Sequence, residues 1–157
     1  MQLHKLVSRS RIDCAISANS KKRLLEKLSL LLENDAPEVD NHAAFQSLFE
    51  RERLGSTGVG NGVALPHGRV KGLHEAVGAF GILKESIDYD AVDNQPVKLV
   101  FALLVPEEAT EEHLQLLAQL AKLFSDRKNR DHLLNANNRD DVYNFLQDFD
   151  SGYQQAS

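Results

Sequence analysis

The sequence predicts an α/β fold in a single domain, and three observations support this prediction. The 157 residues suit one domain, because a chain of this length buries about 70% of its unfolded surface. After Ser20, leucines recur at the spacing of an amphipathic helix. The stretch 99–105 is apolar without a break, which is typical of a strand covered on both faces. Helices and strands are therefore both expected.

Four helices are predicted. The first is expected to start at Ser20, the second to run from about Asn41 to Arg53, the third to start near Thr110, and the fourth to cover 140–149. Ser20 and Thr110 are suitable N-caps, and acidic residues follow Thr110 in the first turn, where the helix dipole favours them. The side chains expected to face the core are Leu24, Leu25, Leu28, Leu31, Leu32, Ala44, Phe45, Leu48, Phe49, Leu117, Leu120, Ala121, Phe124, Val142, Phe145, Leu146 and Phe149.

Strands are predicted at Val63–Leu65, at Ala76–Leu83 and at Val97–Val105. Pro66 ends the first of them, and no repeat or linker interrupts the chain. The single domain is expected to occupy 1–157, with its core at about 20–149 and a frayed tail at 150–157.

Composition and charge exclude several classes of protein. The net charge of −5 argues against a role in binding nucleic acid and favours a partner with a positive face. Cys14 is the only cysteine, which excludes an internal disulfide and a thiolate zinc cluster. No apolar run is long enough for a membrane span or a signal core, so a cytoplasmic protein is expected.

The stretch 51–68 carries the strongest functional signal. Five of the nine glycines lie there, namely Gly55, Gly58, Gly60, Gly62 and Gly68. Glycine lets backbone N–H groups approach an anion, so Ser56, Thr57, Gly58 and Gly60 are predicted to bind phosphate. The alternative is that these glycines only form a tight turn.

Two common phosphate motifs do not fit this stretch. No glycine precedes a Lys and a hydroxyl residue in the frame of a Walker A loop. A dinucleotide fingerprint needs a strand before its glycines, whereas a predicted helix precedes these, and Val63 occupies the last glycine position.

His67 is the candidate reactive group, because Pro66 stiffens the chain that presents its imidazole. Imidazole beside exposed amides suits phosphoryl transfer through a phosphohistidine. His113 lies on the inward stripe of its predicted helix, and either Arg51 or Arg53 could hold phosphoryl oxygens. A metal bound by His67 and His113 is the weaker hypothesis, because no spacing supplies a third ligand. The remaining histidines are expected to face solvent, namely His4, His42, His74 and His132.

The sequence from Ser56 to Gly68, STGVGNGVALPHG, resembles the phosphorylation-site signature of enzyme IIA domains of the fructose/mannitol class. These domains belong to the bacterial phosphoenolpyruvate-dependent phosphotransferase system. The similarity extends through 90–97, 101–106 and 112–114, and it is strongest to the stand-alone nitrogen-regulatory branch. The usual isoleucines of the motif are replaced by Val59, Val63 and Leu65, which we expect to form an apolar rim around the site.

The resemblance implies a mixed β-sheet flanked by helices. It also implies that His67 accepts a phosphoryl group from an HPr-like phosphocarrier, with His113 as second histidine and Arg51 as supporting arginine, and without a cofactor or metal. The branch implies regulatory protein targets such as sensor kinases and potassium-transport subunits, and it allows peripheral contact with membrane proteins. Two alternatives stay open: a sugar-transport IIA that passes phosphate to a IIB domain, and a protein-binding module whose histidine is never modified.

Overall fold

The computed structural model describes residues 2–108 and 111–156. The helices are α1 (Leu3–Leu6), α2 (Lys21–Leu32), α3 (Asn41–Leu54), α4 (Glu111–Ser125), α5 (Arg127–Leu134) and α6 (Arg139–Ala156). The strands are β1 (Ile12–Ile16), β2 (Gly58–Gly60), β3 (Val63–Ala64), β4 (His67–Val70), β5 (Val77–Ile87) and β6 (Val97–Pro106).

The strands form one mixed sheet in the order β1-β5-β6-β3-β2, and β4 also pairs with β6. Strand β6 runs antiparallel to β5 and parallel to both β3 and β4. Strands β3 and β4 therefore follow one another along the same edge of β6, and Pro66 lies in the gap between them. The predicted mixed sheet flanked by helices is confirmed.

Strand β6 is buried on both faces, as the unbroken apolar run predicted. Val100, Ala102 and Leu104 contribute to the apolar cluster that includes the inward side chains of α2 and α3. Leu99, Phe101, Leu103 and Val105 belong to a second cluster with those of α4 and α6. Because successive side chains of a strand point to opposite faces, one strand supplies the centre of both cores.

The first two predicted helices are confirmed with small corrections. The Ser20 hydroxyl caps α2 by accepting the Arg23 N–H at 3.1 Å. In α3, Ala44 and Leu48 are buried, but Phe49 is 37% exposed, contrary to the prediction. The ring of Phe49 stacks on that of Phe45, and the two centroids are 5.5 Å apart.

The buried face of α4 agrees with the prediction in part, because Leu120 and Phe124 are buried as predicted. Leu116, Leu120, Leu123 and Phe124 are buried, whereas Leu117 is half-buried and Ala121 is exposed. The prediction placed Leu117 and Ala121 in the core, but Leu117 packs at the edge of the core and also lines a groove. The predicted N-cap, Thr110, lies outside the described residues.

The two ends of the chain pack together, which the sequence did not reveal. Asp150 is 1% exposed, and its carboxylate accepts the backbone N–H groups of Leu3 and His4, both at 2.9 Å. The same carboxylate also accepts a hydrogen bond from the His4 ring nitrogen Nδ1 at 2.6 Å and another from the side-chain amide of Gln119 at 3.2 Å. The core therefore begins at Leu3 rather than near residue 20.

This contact corrects two further predictions. His4 is buried, although the sequence suggested a solvent-facing side chain, while His42, His74 and His132 are exposed as predicted. Helix α6 continues to Ala156 instead of ending near residue 149 in a frayed tail.

Candidate active site

A groove of about 810 Å³ lies between α3, β4 and the first turns of α4. Its floor is formed in part by the ends of β4 and β6, which pair in parallel with His67 opposite Leu103. The lining residues are Ala43, Gln46, Ser47, Glu50, Arg51, Leu54, His67, Gly68, Arg69, Val70, Lys71, Leu103, Val105, His113, Leu114 and Leu117.

His67 is the first residue of β4 and is half-buried. Its ring nitrogen Nδ1 lies 2.8 Å from the carbonyl oxygen of Leu65. Because a carbonyl oxygen can only accept a hydrogen bond, Nδ1 carries the proton of the neutral ring. The other nitrogen, Nε2, is therefore left with its lone pair, as a nucleophile requires.

The surroundings of His67 keep its ring neutral. Burial is the main cause that lowers the pKa of His67 below 6.5, and the positive charge of Arg51 lowers it further. The hydrogen bond to Leu65 and the Glu52 carboxylate act in the opposite direction without reversing the shift. Above the ordinary pKa of histidine, the imidazole is thus in the form that can attack an electrophile.

The structure brings the three predicted catalytic residues onto one groove. Arg51, in the last turn of α3, and His113, in the first turn of α4, line it together with His67. One guanidinium nitrogen of Arg51 donates to the carbonyl of Gly55 at 2.8 Å. Arg53, the other arginine considered, does not line the groove among the described residues and is exposed.

The four predicted phosphate-binding residues do not line the groove. Thr57 is 4% exposed, and both its N–H and its hydroxyl donate to the Glu52 carboxylate. The Gly58 N–H donates to the Ser56 hydroxyl oxygen at 3.0 Å, and that hydroxyl donates to the Tyr89 carbonyl at 3.0 Å. The donors of Ser56, Thr57 and Gly58 are thus already used within the protein in this structure, and binding of a phosphate by these residues stays a prediction.

The glycines of this stretch instead permit a tight β2–β3 hairpin. Gly60 has a φ of +101°, a backbone conformation that residues other than glycine rarely adopt. A Cβ atom on Gly58 would lie 2.8 Å from the Cβ of Ala91, closer than two carbon atoms can pack. The turn interpretation, which the sequence left open, therefore accounts for Gly60, and close packing against Ala91 accounts for Gly58.

A buried carboxylate holds this hairpin in place. Glu52 is 8% exposed and accepts hydrogen bonds from Thr57, from the Lys21 ammonium at 3.1 Å and from the Tyr89 hydroxyl at 3.1 Å. Burial alone would raise the pKa of Glu52, but the hydrogen bonds from Thr57 and Lys21 outweigh it and lower the pKa below 4.5. Burial raises the pKa of Tyr89 far above its ordinary value. Glu52 is thus an ionised structural anchor one residue from Arg51.

Two further cations of the groove were not predicted from the sequence. Arg69 and Lys71 line the groove and are exposed. Since alternate residues of a strand share a face, Arg69 lies on the same face of β4 as His67. The sequence prediction ended its strand at Pro66 and contained no strand at 67–70. With that strand, the alternation of His67 and Arg69 would have indicated that both side chains share a face. Gly68 lets α3 approach β4, because a Cβ atom there would lie 2.1 Å from the Ser47 hydroxyl oxygen.

The apolar rim also differs from the prediction. Val63 and Leu65 are buried, and Val59 is exposed without lining the groove. The exposed apolar residues at its edge are Leu54 on α3 and Leu114 on α4.

Comparison with known proteins shows the family of this chain. The family model of the phosphoenolpyruvate-dependent sugar phosphotransferase system, EIIA 2, matches residues 5–149. The chain belongs to the EIIA 2 family. A nitrogen regulatory protein of Pseudomonas aeruginosa is 40% identical over 152 residues, which cover 97% of this EIIA 2 chain and 99% of that protein.

Solved structures of other IIA proteins share the fold. The nitrogen regulatory protein IIA-Ntr of Neisseria meningitidis has a TM-score of 0.86 and 43% identity, with 92% of this chain and 98% of that chain covered. The mannitol IIA protein of Escherichia coli has a TM-score of 0.73 over 89% of this chain and 98% of that chain. Its 19% identity supports the fold alone. Family membership supports a phosphocarrier of the phosphotransferase system.

Neither a metal site nor a membrane helix stands out in the described part of this EIIA 2 protein. Residues 2–108 and 111–156 contain no group of three or more His, Cys, Asp or Glu side chains that could hold a metal ion. Within the same residues, no helix has the length and apolar character needed to cross a bilayer.

Proposed function

We propose that this protein accepts a phosphoryl group on Nε2 of His67 from an HPr-like phosphocarrier and passes it on or uses it as a signal. The observation that carries this proposal is the hydrogen bond between His67 Nδ1 and the Leu65 carbonyl at 2.8 Å. It fixes the tautomer and orients Nε2 as the available nucleophile in a groove that a partner protein can enter.

The transfer needs only two imidazoles and a charged environment. The lone pair of His67 Nε2 attacks the phosphorus of the carrier's phosphohistidine in line, and an N–P bond forms. The N–P bond of the carrier breaks, and its electron pair returns to the carrier's ring. The proton on His67 Nδ1 stays on the hydrogen bond to Leu65 throughout, so the new phosphohistidine is held in the same orientation.

Arg51 and His113 are proposed to stabilise the phosphoryl group during transfer. A guanidinium can donate two parallel hydrogen bonds to phosphoryl oxygens, and an imidazole N–H can donate a third. Because these donors are positioned before the reaction, they stabilise the transition state without reorganising, and a metal ion is not required.

For the output, we propose regulation by phosphorylation-dependent binding to nitrogen- or potassium-related proteins, such as sensor kinases or potassium-transport subunits. The support is the similarity over 97% of the chain to a protein named a nitrogen regulatory protein. Transfer to a IIB domain of a sugar transporter is the alternative.

The test is reconstitution with enzyme I, the HPr-like carrier and phosphoenolpyruvate. We expect one acid-labile phosphoryl group on the native protein, located at His67 by mass spectrometry under alkaline conditions and at Nε2 by NMR of the labelled ring. Labelling at another residue, or at Nδ1, would contradict the mechanism. Adding a IIB domain then distinguishes the outputs, since loss of label to IIB at a rate matching its formation would favour sugar transport.

A further inference from the structure

A series of three hydrogen bonds connects a buried carboxylate to the ring of His67. The Thr57 N–H donates to the Glu52 carboxylate at 3.0 Å. The carbonyl oxygen of Thr57 accepts the Leu65 N–H at 2.9 Å, and the carbonyl oxygen of Leu65 lies 2.8 Å from Nδ1 of His67. The series begins at a side chain that is 8% exposed and that does not line the groove among the described residues.

The direction of the Leu65 carbonyl is set by the main chain on both sides of it. Leu65 is buried, and its N–H is held by Thr57. Pro66 follows with a fixed φ and no N–H to donate, and its carbonyl oxygen accepts the Leu103 N–H of β6 at 2.9 Å. A displacement of Thr57 would therefore move the acceptor that holds the proton of His67.

The hairpin that contains this bond is poorly stabilised by its own sequence. Strand β2 lies at the edge of the sheet and has three residues, two of which are glycine. Glycine weakens a strand because it has no side chain to pack and more conformational freedom to lose. Thr57 directly precedes β2, and the Glu52 carboxylate accepts both its N–H and its hydroxyl. An ionised carboxylate can only accept hydrogen bonds, so it fixes the direction of the Thr57 backbone.

Glu52 also fixes the end of α3, where Arg51 is located. The backbone carbonyl of Glu52 accepts the Gly55 N–H at 3.2 Å, and the Arg51 guanidinium donates to the Gly55 carbonyl at 2.8 Å. The Glu52 carboxylate is held in turn by Lys21 and by Tyr89, both at 3.1 Å. These partners offset the free-energy cost of burying its charge. One buried side chain thus connects the turn beside the arginine to the segment that holds the histidine.

We propose that Glu52 is a positioning residue for phosphoryl transfer, because its hydrogen bond to the Thr57 N–H keeps the Leu65 carbonyl where it retains the proton of His67 on Nδ1. The inference rests on the proposed function for the reaction itself. Glu52 is buried outside the groove and acts only through these backbone groups. Its loss should therefore slow transfer within the bound complex, with little effect on the affinity for the carrier.

Two substitutions separate the reach of the Glu52 side chain from its charge. Glu52→Gln keeps an oxygen within reach of the Thr57 N–H but removes the charge. Glu52→Asp keeps the charge but withdraws the carboxylate by about 1.5 Å, the length of one carbon–carbon bond, which takes it beyond hydrogen-bonding distance of that N–H. The matched control is Tyr89→Phe, which removes a different donor to the same carboxylate and leaves the Thr57 N–H in place.

Removing the Glu52 charge leaves the His67 ring in its reactive form. Burial is the main cause that lowers the pKa of His67 below 6.5, and the Glu52 carboxylate partly opposes this shift. Without that charge the pKa of His67 falls further, so the ring of Glu52→Gln protein stays neutral above 6.5. A slow Glu52→Gln variant could then not be explained by protonation of the nucleophile.

The first measurement is the rate constant for phosphorylation of His67 at saturating phosphorylated carrier. It is expressed per folded molecule, with the folded fraction taken from urea denaturation. Glu52→Asp should reduce this rate constant by about 10- to 100-fold, because a small displacement of a reacting group costs up to about 100-fold. The carrier concentration at half-saturation should change little. Glu52→Gln and Tyr89→Phe should react at close to the native rate.

The second measurement is the tautomer of the His67 ring, given by long-range ¹H–¹⁵N NMR without any carrier. The native, Glu52→Gln and Tyr89→Phe proteins should carry the proton on Nδ1. Glu52→Asp should carry it on Nε2 in a measurable fraction, because the hydrogen bond of one ring nitrogen decides the tautomer. A role in stability alone would leave this signal unchanged in folded protein. The amide protons of Thr57 and Leu65 in native protein should also exchange slowly with solvent.

The order of the two Glu52 variants decides the proposal. Glu52→Asp transferring as fast as Glu52→Gln or faster, or rapid exchange of either native amide proton, would overturn it. An altered tautomer in Glu52→Asp without any labelling of native His67 would support the positioning role and refute the proposed function. Labelling of native His67 with an unchanged tautomer in Glu52→Asp would do the reverse.

Discussion

The two segments on either side of Pro66 both carry polar groups, but these groups have different partners in the two segments. In the β2–β3 hairpin, the hydroxyl of Thr57 and the N–H groups of Thr57 and Gly58 bond to the protein itself. In β4, His67 and Arg69 line an open groove. A polar side chain that already has internal partners contributes to the fold, and one that faces a groove is available to a substrate. The difference supports our proposal that the chemistry takes place at His67, after Pro66, rather than in the glycine-rich stretch before it.

The largest effect is expected for His67→Ala. This substitution removes the nucleophile, so phosphoryl acceptance should be lost altogether. The side chain is half-buried at the end of a strand and leaves no large cavity, so the melting temperature should change little. Radiolabel transfer and thermal unfolding measure the two quantities. Continued labelling of this variant would place the acceptor elsewhere.

Removing a neighbour of His67 should slow transfer without abolishing it. Arg51→Ala and His113→Ala should each reduce the rate constant by about 100-fold, the usual effect of losing one positioned donor. Single-turnover transfer from the phosphorylated carrier gives this rate directly. The controls are Arg53→Ala and His42→Ala, which change the same residue types at exposed positions outside the groove. A groove variant that matches its control would have a structural role only.

On the hairpin side, Thr57→Val should affect stability rather than chemistry. Valine keeps the shape of threonine but removes the hydroxyl that donates to the buried Glu52 carboxylate. The free energy of unfolding should fall by about 1–3 kcal/mol, the cost of leaving such an acceptor without its donor. Urea denaturation measures this loss. Transfer by the folded fraction should keep the native rate, and a decrease comparable to that of Arg51→Ala would mean that the hairpin takes part in the reaction.

The smallest expected effect is that of pH on the His67 ring. Its pKa lies below 6.5, so the ring stays neutral as the pH rises above that value and gains a proton only at lower pH. Long-range ¹H–¹⁵N NMR of the ring should give a midpoint below 6.5 and a proton on Nδ1 in the neutral form. A midpoint above that value, or a proton on Nε2, would contradict the role of the Leu65 hydrogen bond.

Local pattern was enough to predict a large part of this molecule. Three features depend only on residues that are close in sequence: the leucines of α2, the cap at Ser20 and the apolar run of β6. Within one helix or strand, the spacing of apolar residues determines which face is buried. The sequence similarity around His67 also selected the correct family, and it named His67, His113 and Arg51, which the fold places on one groove.

What local pattern could not predict depends on contacts between distant parts of the chain. His4 is polar and lies near a terminus, yet it is buried because Asp150 reaches it from α6. The sequence analysis did not single out Arg69, which shares a strand face with His67 only because residues 67–70 pair with β6. Thr57 could have faced a ligand or Glu52 equally well from its sequence alone. A hydrogen-bonding group is satisfied by whichever partner the folded chain brings within about 3 Å, and the identity of that partner is a property of the tertiary structure.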